Sequence, residues 1–219
     1  MKRVLVVATA AAALTMLAVV LYEYAAHRSA PRVTVVSVPP PGEVAPAALP
    51  SFEFIPLDEP RSLPELRFVD GDGSALSLTD LRGRLVLLNI WATWCAPCRR
   101  EMPTLDRLQA ELGGADFEVV ALSIDRQGVP AVKAFYQELG LEALRIYVDK
   151  STKASRDLGI LGIPTTLLIG RQGRELGRVV GPAEWDSPEA VALVRRYLER
   201  PSARDVSSRD SREQRVEPD

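Results

Sequence analysis

Two cysteines, Cys95 and Cys98, are the residues of this sequence best suited to chemistry, and they are the only cysteines among its 219 residues. Because two residues separate them, a disulfide between them closes a very small loop and removes little entropy from the unfolded chain. Such a bond stabilises a fold weakly, but two thiols at this spacing can exchange a disulfide with another molecule. The spacing therefore predicts a redox function rather than a structural cross-link.

The sequence around the pair predicts that both cysteines lie where a buried strand turns into a helix. An apolar run at residues 85–90 is typical of the strand. Apolar residues at helical spacing indicate the helix, namely Met102, Leu105, Leu108 and Leu112. Because the N–H groups and the dipole at a helix N-terminus stabilise a thiolate, Cys95 is the predicted nucleophile and Cys98 the predicted resolving thiol. Pro97 suits the first helical turn, where its missing N–H costs nothing.

Two other interpretations of the pair are core cysteines and half of a zinc site. A structural zinc ion needs four ligands, yet the chain has no further cysteine, and its single histidine, His27, lies far from the pair in sequence. The sequence therefore predicts neither a metal site nor a cofactor.

Glu101 follows Cys98 by three residues, so the two side chains share a face of the predicted helix. A carboxylate in that position can accept the proton that Cys98 must lose before it resolves a mixed disulfide. The alternative is a glutamate on the helix surface beside Arg99 and Arg100.

The segment at residues 91–101, Trp-Ala-Thr-Trp-Cys-Ala-Pro-Cys-Arg-Arg-Glu, resembles the active site of thioredoxin-fold proteins. More narrowly, it resembles the TlpA/ResA-like group of membrane-anchored thiol-disulfide oxidoreductases. The similarity extends over about residues 63–198. The stretch at residues 181–185, Gly-Pro-Ala-Glu-Trp, and the turn at residues 163–165, Ile-Pro-Thr, look most like the TlpA branch of that group.

The resemblance implies roles for residues that spacing alone does not single out. Pro164 matches a proline that is cis in thioredoxin-like folds, where it presents the preceding backbone, here that of Ile163, to an extended substrate and keeps metals off the thiols. An ordinary turn proline is the alternative. The residues implied to contact the substrate are Trp94, Ala96, Pro97, Ile163 and Pro164.

Two further positions bear on proton transfer and on the walls of the site. Asn89 stands where thioredoxin itself carries a buried aspartate, and because asparagine does not titrate, the sequence disfavours a thioredoxin-like proton relay. The TlpA/ResA-like motif carries a glutamate with a suggested acid–base role at the position of Glu101, so the resemblance implies that role for Glu101. Trp185 has two open interpretations, a position near the active site or a cap on the last helix.

The order of predicted elements matches an α/β protein with a thioredoxin-like fold. Strands alternate with helices, which predicts a central mixed sheet covered on both faces. The turn at residues 70–73, Asp-Gly-Asp-Gly, predicts an N-terminal hairpin. A helix predicted at residues 130–139 and a short strand predicted at residues 144–148 match the central insertion seen in TlpA-like proteins. Arg171-Gln-Gly173 predicts a closing hairpin that makes part of the sheet antiparallel.

Four regions are expected along the chain. Residues 1–25 are predicted to be a transmembrane anchor, because Lys2 and Arg3 precede 19 uncharged residues, close to the length of about 20 that spans a bilayer; a cleaved signal peptide is the alternative. Residues 26–62 are proline-rich and predict a semi-rigid linker. The thioredoxin-like domain is predicted at residues 63–200. Residues 201–219, with four arginines, five acidic residues and no apolar run, predict a disordered tail.

These observations predict a periplasmic thiol-disulfide reductase on a single-pass bacterial inner-membrane anchor. The net charge of −2 gives no basic excess of the kind that favours nucleic-acid binding. Ala-Pro between the cysteines lacks a histidine that would make the site more oxidising, so a reductant is favoured. The resemblance implies client proteins with oxidised cysteine pairs, in copper-site assembly of cytochrome oxidase or in cytochrome c maturation, and an upstream membrane electron donor of the DsbD/CcdA type. Alternatives are a copper-binding assembly factor and a peroxiredoxin-like peroxidase.

Overall fold

The computed structural model describes residues 53–199. The elements, in chain order, are β1 (Ile55–Ser62), β2 (Arg67–Asp70), β3 (Ala75–Ser77), a 3-10 helix (Leu78–Leu81), β4 (Leu85–Trp91), α1 (Ala96–Leu112), β5 (Phe117–Ser123), α2 (Val129–Leu139), β6 (Tyr147–Val148), α3 (Lys153–Asp157), β7 (Thr165–Ile169), β8 (Arg174–Val180) and α4 (Pro188–Leu198).

The eight strands form one mixed sheet in the order β1-β8-β7-β4-β5-β6-β2-β3. β4 is parallel to β5, and β5 to β6, whereas the remaining neighbours are antiparallel. All seven residues of β4 are buried, as its continuous apolar run predicts for a strand covered on both faces. The predicted mixed sheet of a thioredoxin-like fold is confirmed.

Alternate residues of β4 enter two separate hydrophobic clusters, one on each face of the sheet. Leu85 and Leu87 pack with side chains of α1, α2 and α4, whereas Val86 and Leu88 pack with those of the 3-10 helix and α3. Each large apolar side chain fully buried in this way contributes about 1.5–3 kcal/mol. The central strand, which leads into the cysteine turn, is therefore held from both sides.

The predicted N-terminal hairpin and central insertion are both present. β2 and β3 pair across a turn in which Asp70 Oδ1 accepts the backbone N–H groups of Asp72 and Ser74. β6 is shorter than the strand predicted at residues 144–148. The physical reason is that the N–H groups of Ala143 and Leu144 donate to Asp106 on α1 and therefore do not enter a strand ladder.

Strand β1 is the main departure from the sequence prediction, which assigns residues 26–62 to a linker. Ile55–Ser62 instead pairs antiparallel with β8 at one edge of the sheet. Glu175 of β8, fully buried, accepts hydrogen bonds from Arg61 of β1 at 2.6 Å and from Arg178 at 2.7 Å. Burial alone raises the pKa of Glu175, but the two guanidinium groups outweigh it and hold the pKa below its ordinary value. The domain therefore begins before residue 63.

Other predicted regions lie outside the described residues. These are the anchor at residues 1–25, most of the linker and the tail at residues 201–219. Among the helices at residues 53–199, none combines the length and apolar character needed to cross a membrane.

Candidate active site

Cys95 and Cys98 are joined by a disulfide at the turn between the end of β4 and the first turn of α1. Cys95 is the N-cap residue of the helix, and its sulfur accepts the backbone N–H of Cys98 at 3.3 Å. Pro97 lies in the first helical turn, as predicted. Cys95 keeps 7% of its surface exposed, whereas Cys98 is fully buried. The two cysteines therefore differ in access, since only Cys95 keeps any surface open to a partner molecule.

The turn that carries Cys95 is fixed from the neighbouring strand. Asp125, just beyond β5, accepts the backbone N–H of Thr93 at 2.9 Å and its hydroxyl at 2.7 Å. Arg99 of α1 donates to the carbonyl of the same threonine. Because these bonds hold Thr93 from two elements, the two residues before Cys95 have a defined backbone path.

The loop before β7 lies against the disulfide, as the resemblance implies. The Ile163–Pro164 peptide bond is cis, which confirms that prediction. The carbonyl oxygen of Ile163 is 3.7 Å from Cys95 Sγ. The structure therefore brings together residues that are 68 positions apart in the chain.

Exposed residues surround Cys95. Trp94 has 68% of its surface exposed and Ala96 is exposed, whereas Pro97 is partly buried. Leu161, two residues before Ile163, is fully exposed and was not singled out from the sequence. Its exposure in the loop that approaches Cys95 makes it a further candidate for contact with a client.

Glu101 is fully buried on α1, which overturns the surface-residue interpretation. Its Oε1 accepts a hydrogen bond from Asn89 Nδ2 at 2.8 Å. Its Oε2 accepts the backbone N–H of Ala183 at 3.0 Å and Trp185 Nε1–H at 3.3 Å. A carboxyl group therefore lies in the apolar interior one helical turn beyond Cys98, with three donors around it.

The family model described as Redoxin matches residues 48–194. The chain belongs to the Redoxin family. The match begins ahead of β1, which agrees with the inclusion of that strand in the redoxin domain.

Relatives of this redoxin are thiol-disulfide oxidoreductases. It is 33% identical over 121 residues to the thiol-disulfide oxidoreductase ResA of Bacillus thuringiensis (strain Al Hakam), covering 55% of this chain and 69% of ResA. It is 38% identical over 109 residues to the thiol:disulfide interchange protein CycY of Rhizobium leguminosarum bv. viciae, covering 49% of this chain and 56% of CycY. The TlpA/ResA-like group is thereby confirmed, whereas membership of the TlpA branch stays a prediction.

Solved structures support the same fold for the redoxin domain. A crystal structure of a thiol:disulfide interchange protein of the thioredoxin family from Chlorobium tepidum TLS has a TM-score of 0.52 and 29% identity, and covers 64% of this chain and 97% of that one. The solution structure of a thiol:disulfide interchange protein from Bacteroides sp., at 21% identity and a TM-score of 0.56, shows the shared fold alone. This redoxin is a thiol-disulfide oxidoreductase with a thioredoxin-like fold.

The environment of Glu101 in the redoxin domain favours its protonated form. Burial raises the pKa of Glu101 from 4.5 to about 7, even though hydrogen bonds from Ala183, Asn89 and Trp185 lower it. A group with a pKa near neutral can both accept and return a proton at physiological pH. Glu101 thus has the property that an acid–base residue beside Cys98 requires.

Asn89 is connected to the carboxyl group directly, a contact that its position in the sequence did not reveal. Its Nδ2 donates to Glu101 and also to Thr166 Oγ1 at 2.9 Å. Its Oδ1 is buried and has no hydrogen-bond partner within the described part of the chain. The two hydrogen bonds donated by Nδ2 therefore fix the orientation of the amide. Asn89 positions the carboxyl group of Glu101 without titrating itself.

Trp185 lies next to Glu101, which decides between its two interpretations. The N-cap of α4 is Ser187, whose side chain accepts the N–H of Ala190, so the tryptophan does not cap the helix. The backbone N–H of Trp185 donates to Thr104 Oγ1 of α1 at 3.0 Å. Ala183 makes its contact through its backbone N–H, so its side chain gives no indication of the contact, although it belongs to the stretch at residues 181–185 that resembles the TlpA branch.

Proposed function

We propose that this oxidoreductase reduces cysteine pairs in client proteins through the Cys95–Cys98 dithiol. The observation that carries the proposal is the contrast between the two sulfurs. Cys95 is reachable and lies beside the Ile163 carbonyl, whereas Cys98 and Glu101 are buried behind it on the same helix. Cys95 is therefore placed to react with a client disulfide first, and Cys98 can react only after the mixed disulfide has formed.

The steps of the reaction follow from this arrangement. The Cys95 thiolate attacks one sulfur of the client disulfide, forming a mixed disulfide and releasing the second client sulfur as a thiolate. Cys98 passes its proton to Glu101 and attacks Cys95 Sγ, which forms the Cys95–Cys98 disulfide and releases the first client sulfur. The client gains two electrons and the enzyme loses two. A membrane electron donor of the DsbD/CcdA type is the proposed source that restores the dithiol.

The direction of transfer and the class of client rest on the residues between the cysteines and on the group resemblance. Ala96 and Pro97 supply no cation to stabilise the thiolate further, and a less stabilised thiolate favours a reductant. The resemblance to the TlpA/ResA-like group supports clients with copper-site or haem-attachment cysteines, in cytochrome oxidase assembly or cytochrome c maturation.

Reduction of insulin separates this function from copper binding. We expect the reduced full-length protein to break insulin disulfides and to lose its two thiols as the disulfide forms. Two thiolates also suit Cu(I), so the same preparation is titrated with Cu(I). Tight binding of Cu(I) without insulin reduction would support the copper-binding alternative. Consumption of hydrogen peroxide in preference to protein disulfides would support the peroxidase.

We propose a periplasmic location for the redoxin domain, on an uncleaved anchor. The support is the apolar run at residues 4–22 after Lys2 and Arg3, since basic residues favour the cytoplasmic side. A reporter that is active only outside the cytoplasm, fused after residue 199, should be active and remain with the membrane fraction. An inactive reporter would contradict the orientation, and a soluble product that begins near residue 26 would show cleavage.

A further inference from the structure

A cavity of about 430 Å³ lies beside the active-site turn. Trp94, which directly precedes Cys95, forms one wall, and Arg126, Thr152 and Arg156 line other parts of it. Pockets that hold small ligands or side chains have volumes of about 300–1,000 Å³. The cavity therefore has room for a side chain of a molecule bound at the disulfide.

The two arginines give the cavity a positive character. Within residues 53–199 the side chain of Arg126 has no hydrogen bond, and neither guanidinium group forms an ion pair. Asp125 is the acidic residue in the wall, but it is 97% buried and its oxygens accept bonds from Thr93 and Ser123. Its charge offsets one of the two cations, so a net positive charge remains.

Arg156 is held in place with part of its hydrogen-bonding capacity unused. Its Nη1 donates to the carbonyl of Ser151 at 3.1 Å and to Thr152 Oγ1 at 2.6 Å. Thr152 has a left-handed backbone with a φ of 56°, which β-branched residues rarely adopt. The Nε and Nη2 groups of Arg156 remain as donors, and this planar fork matches the two oxygens of a carboxylate.

We infer that this cavity binds the carboxylate of an aspartate or glutamate that flanks the cysteine attacked by Cys95 in the client. The inference rests on the proposed function and names a feature of its substrates. The indole of Trp94 packs against the client chain, and the guanidinium groups of Arg126 and Arg156 bind the acidic side chain. Clients with an acidic residue beside the cysteine pair are therefore reduced faster than neutral ones.

The test uses two disulfide-bonded peptides of identical sequence, except that the cysteine pair is flanked by glutamates in one and by glutamines in the other. The second-order rate constant of reduction is measured for each with the reduced full-length protein in a mild detergent at low salt. We expect the glutamate peptide to react about five-fold faster, the scale of one or two exposed ion pairs. Salt at about 0.5 M should remove most of this preference.

Variants locate the preference in the cavity. Arg126→Gln should lower the rate ratio, and Arg126→Gln combined with Arg156→Gln should lower it further, to the value set by the reactivity of the two peptides themselves. Arg126→Lys should restore much of it. Arg100→Gln is the matched control, because Arg100 is exposed on α1 near the cysteines but does not line the cavity. Any effect of the glutamates on the peptide's own thiol pKa is common to all variants and cancels in the comparison.

The possible outcomes distinguish a failure of the inference from a failure of the proposed function on which it rests. A rate ratio that is no higher in the wild-type protein than in the double variant would overturn the inference and leave the proposed function standing. Since the Arg126 side chain holds no other described residue in place, misfolding does not explain a loss in that variant. Failure to reduce either peptide would remove both the function and the inference.

Discussion

Cys98→Ser should convert the enzyme into a trap that accumulates mixed disulfides with its clients through Cys95. The physical reason is the difference in access, since Cys95 keeps part of its surface exposed whereas Cys98 is fully buried. In the dithiol form, the N–H of Cys98 and the N-terminus of α1 stabilise a thiolate at Cys95. With serine at position 98, the mixed disulfide has no resolving thiol and persists. Non-reducing electrophoresis and mass spectrometry of the adducts are the measurements.

The matched control is Cys95→Ser, which should form no adducts and should lose client reduction altogether. Both variants remove one sulfur and the same disulfide, so any loss of stability from the missing cross-link is similar in the two. Adducts formed by Cys95→Ser and not by Cys98→Ser would reverse the assigned roles.

Glu101→Gln should slow the second half of the reaction while leaving the first nearly intact. Glutamine cannot take the proton of Cys98, so the resolving thiol stays protonated longer and the mixed disulfide decays more slowly. General bases contribute about 10²–10⁴-fold, but a thiol with an ordinary pKa near 8.5 needs less help. We therefore expect a slowing of about 10- to 100-fold near pH 7. Stopped-flow decay of a preformed mixed disulfide measures it.

The decay rate of the mixed disulfide should also depend on pH differently in the wild type and in Glu101→Gln. In the wild type, decay should accelerate as the pH rises through about 7, where Glu101 loses its proton and becomes able to accept another. The variant should lack this step and respond only to ionisation of Cys98 itself at higher pH. Identical decay in the two proteins across pH 6–8 would show that Glu101 takes no part in resolution.

An independent readout tests the environment of Glu101 without catalysis. The folded protein keeps this proton up to about pH 7, whereas the unfolded chain loses it near 4.5, so the folded state binds more protons between these values. The free energy of unfolding should therefore fall by about 3 kcal/mol as the pH rises through this window. Glu101→Gln should lack this fall, and the difference between the two proteins removes the contribution of other groups.

Local patterns in the sequence were sufficient for the parts of the site that lie on one element. The spacing of Cys95, Cys98 and Glu101 along a helix, and the apolar run of β4, each depend on neighbours within a few residues. Their predicted positions at the strand-to-helix turn agree with the structure. The cis peptide before Pro164 was predicted from resemblance alone, because cis is the minority state of X-Pro bonds.

Contacts across the fold could not be predicted in the same way. Whether Glu101 faced solvent or the interior depended on Asn89, Ala183 and Trp185, of which the last two are more than 80 positions away. The contact from Ala183 is made by its backbone N–H, a group that every non-proline residue has. No pattern in the sequence therefore distinguishes the N–H of Ala183 from other backbone N–H groups.

Strand β1 escaped prediction for a different reason. Seven of its eight residues are exposed, so it lacks the alternation of apolar and polar residues that marks a half-buried strand. The signal lies instead in its partner, at Gly177 of β8, where there is no room for a side chain beside the chain that leads into β1. A Cβ atom there would lie 2.5 Å from the carbonyl oxygen of Ile55. A glycine within a strand indicates such an approach but does not identify the chain that makes it.

The composition of β1 also affects how the sheet meets other chains. Outer strands can template the addition of a further strand, which is a route to aggregation. Pro56 and Pro60 have no N–H to donate, and Asp58 and Glu59 place charge on the same strand. At the opposite margin, β3 is only three residues long. The outer strands β1 and β3 therefore offer other chains little template for polymerisation.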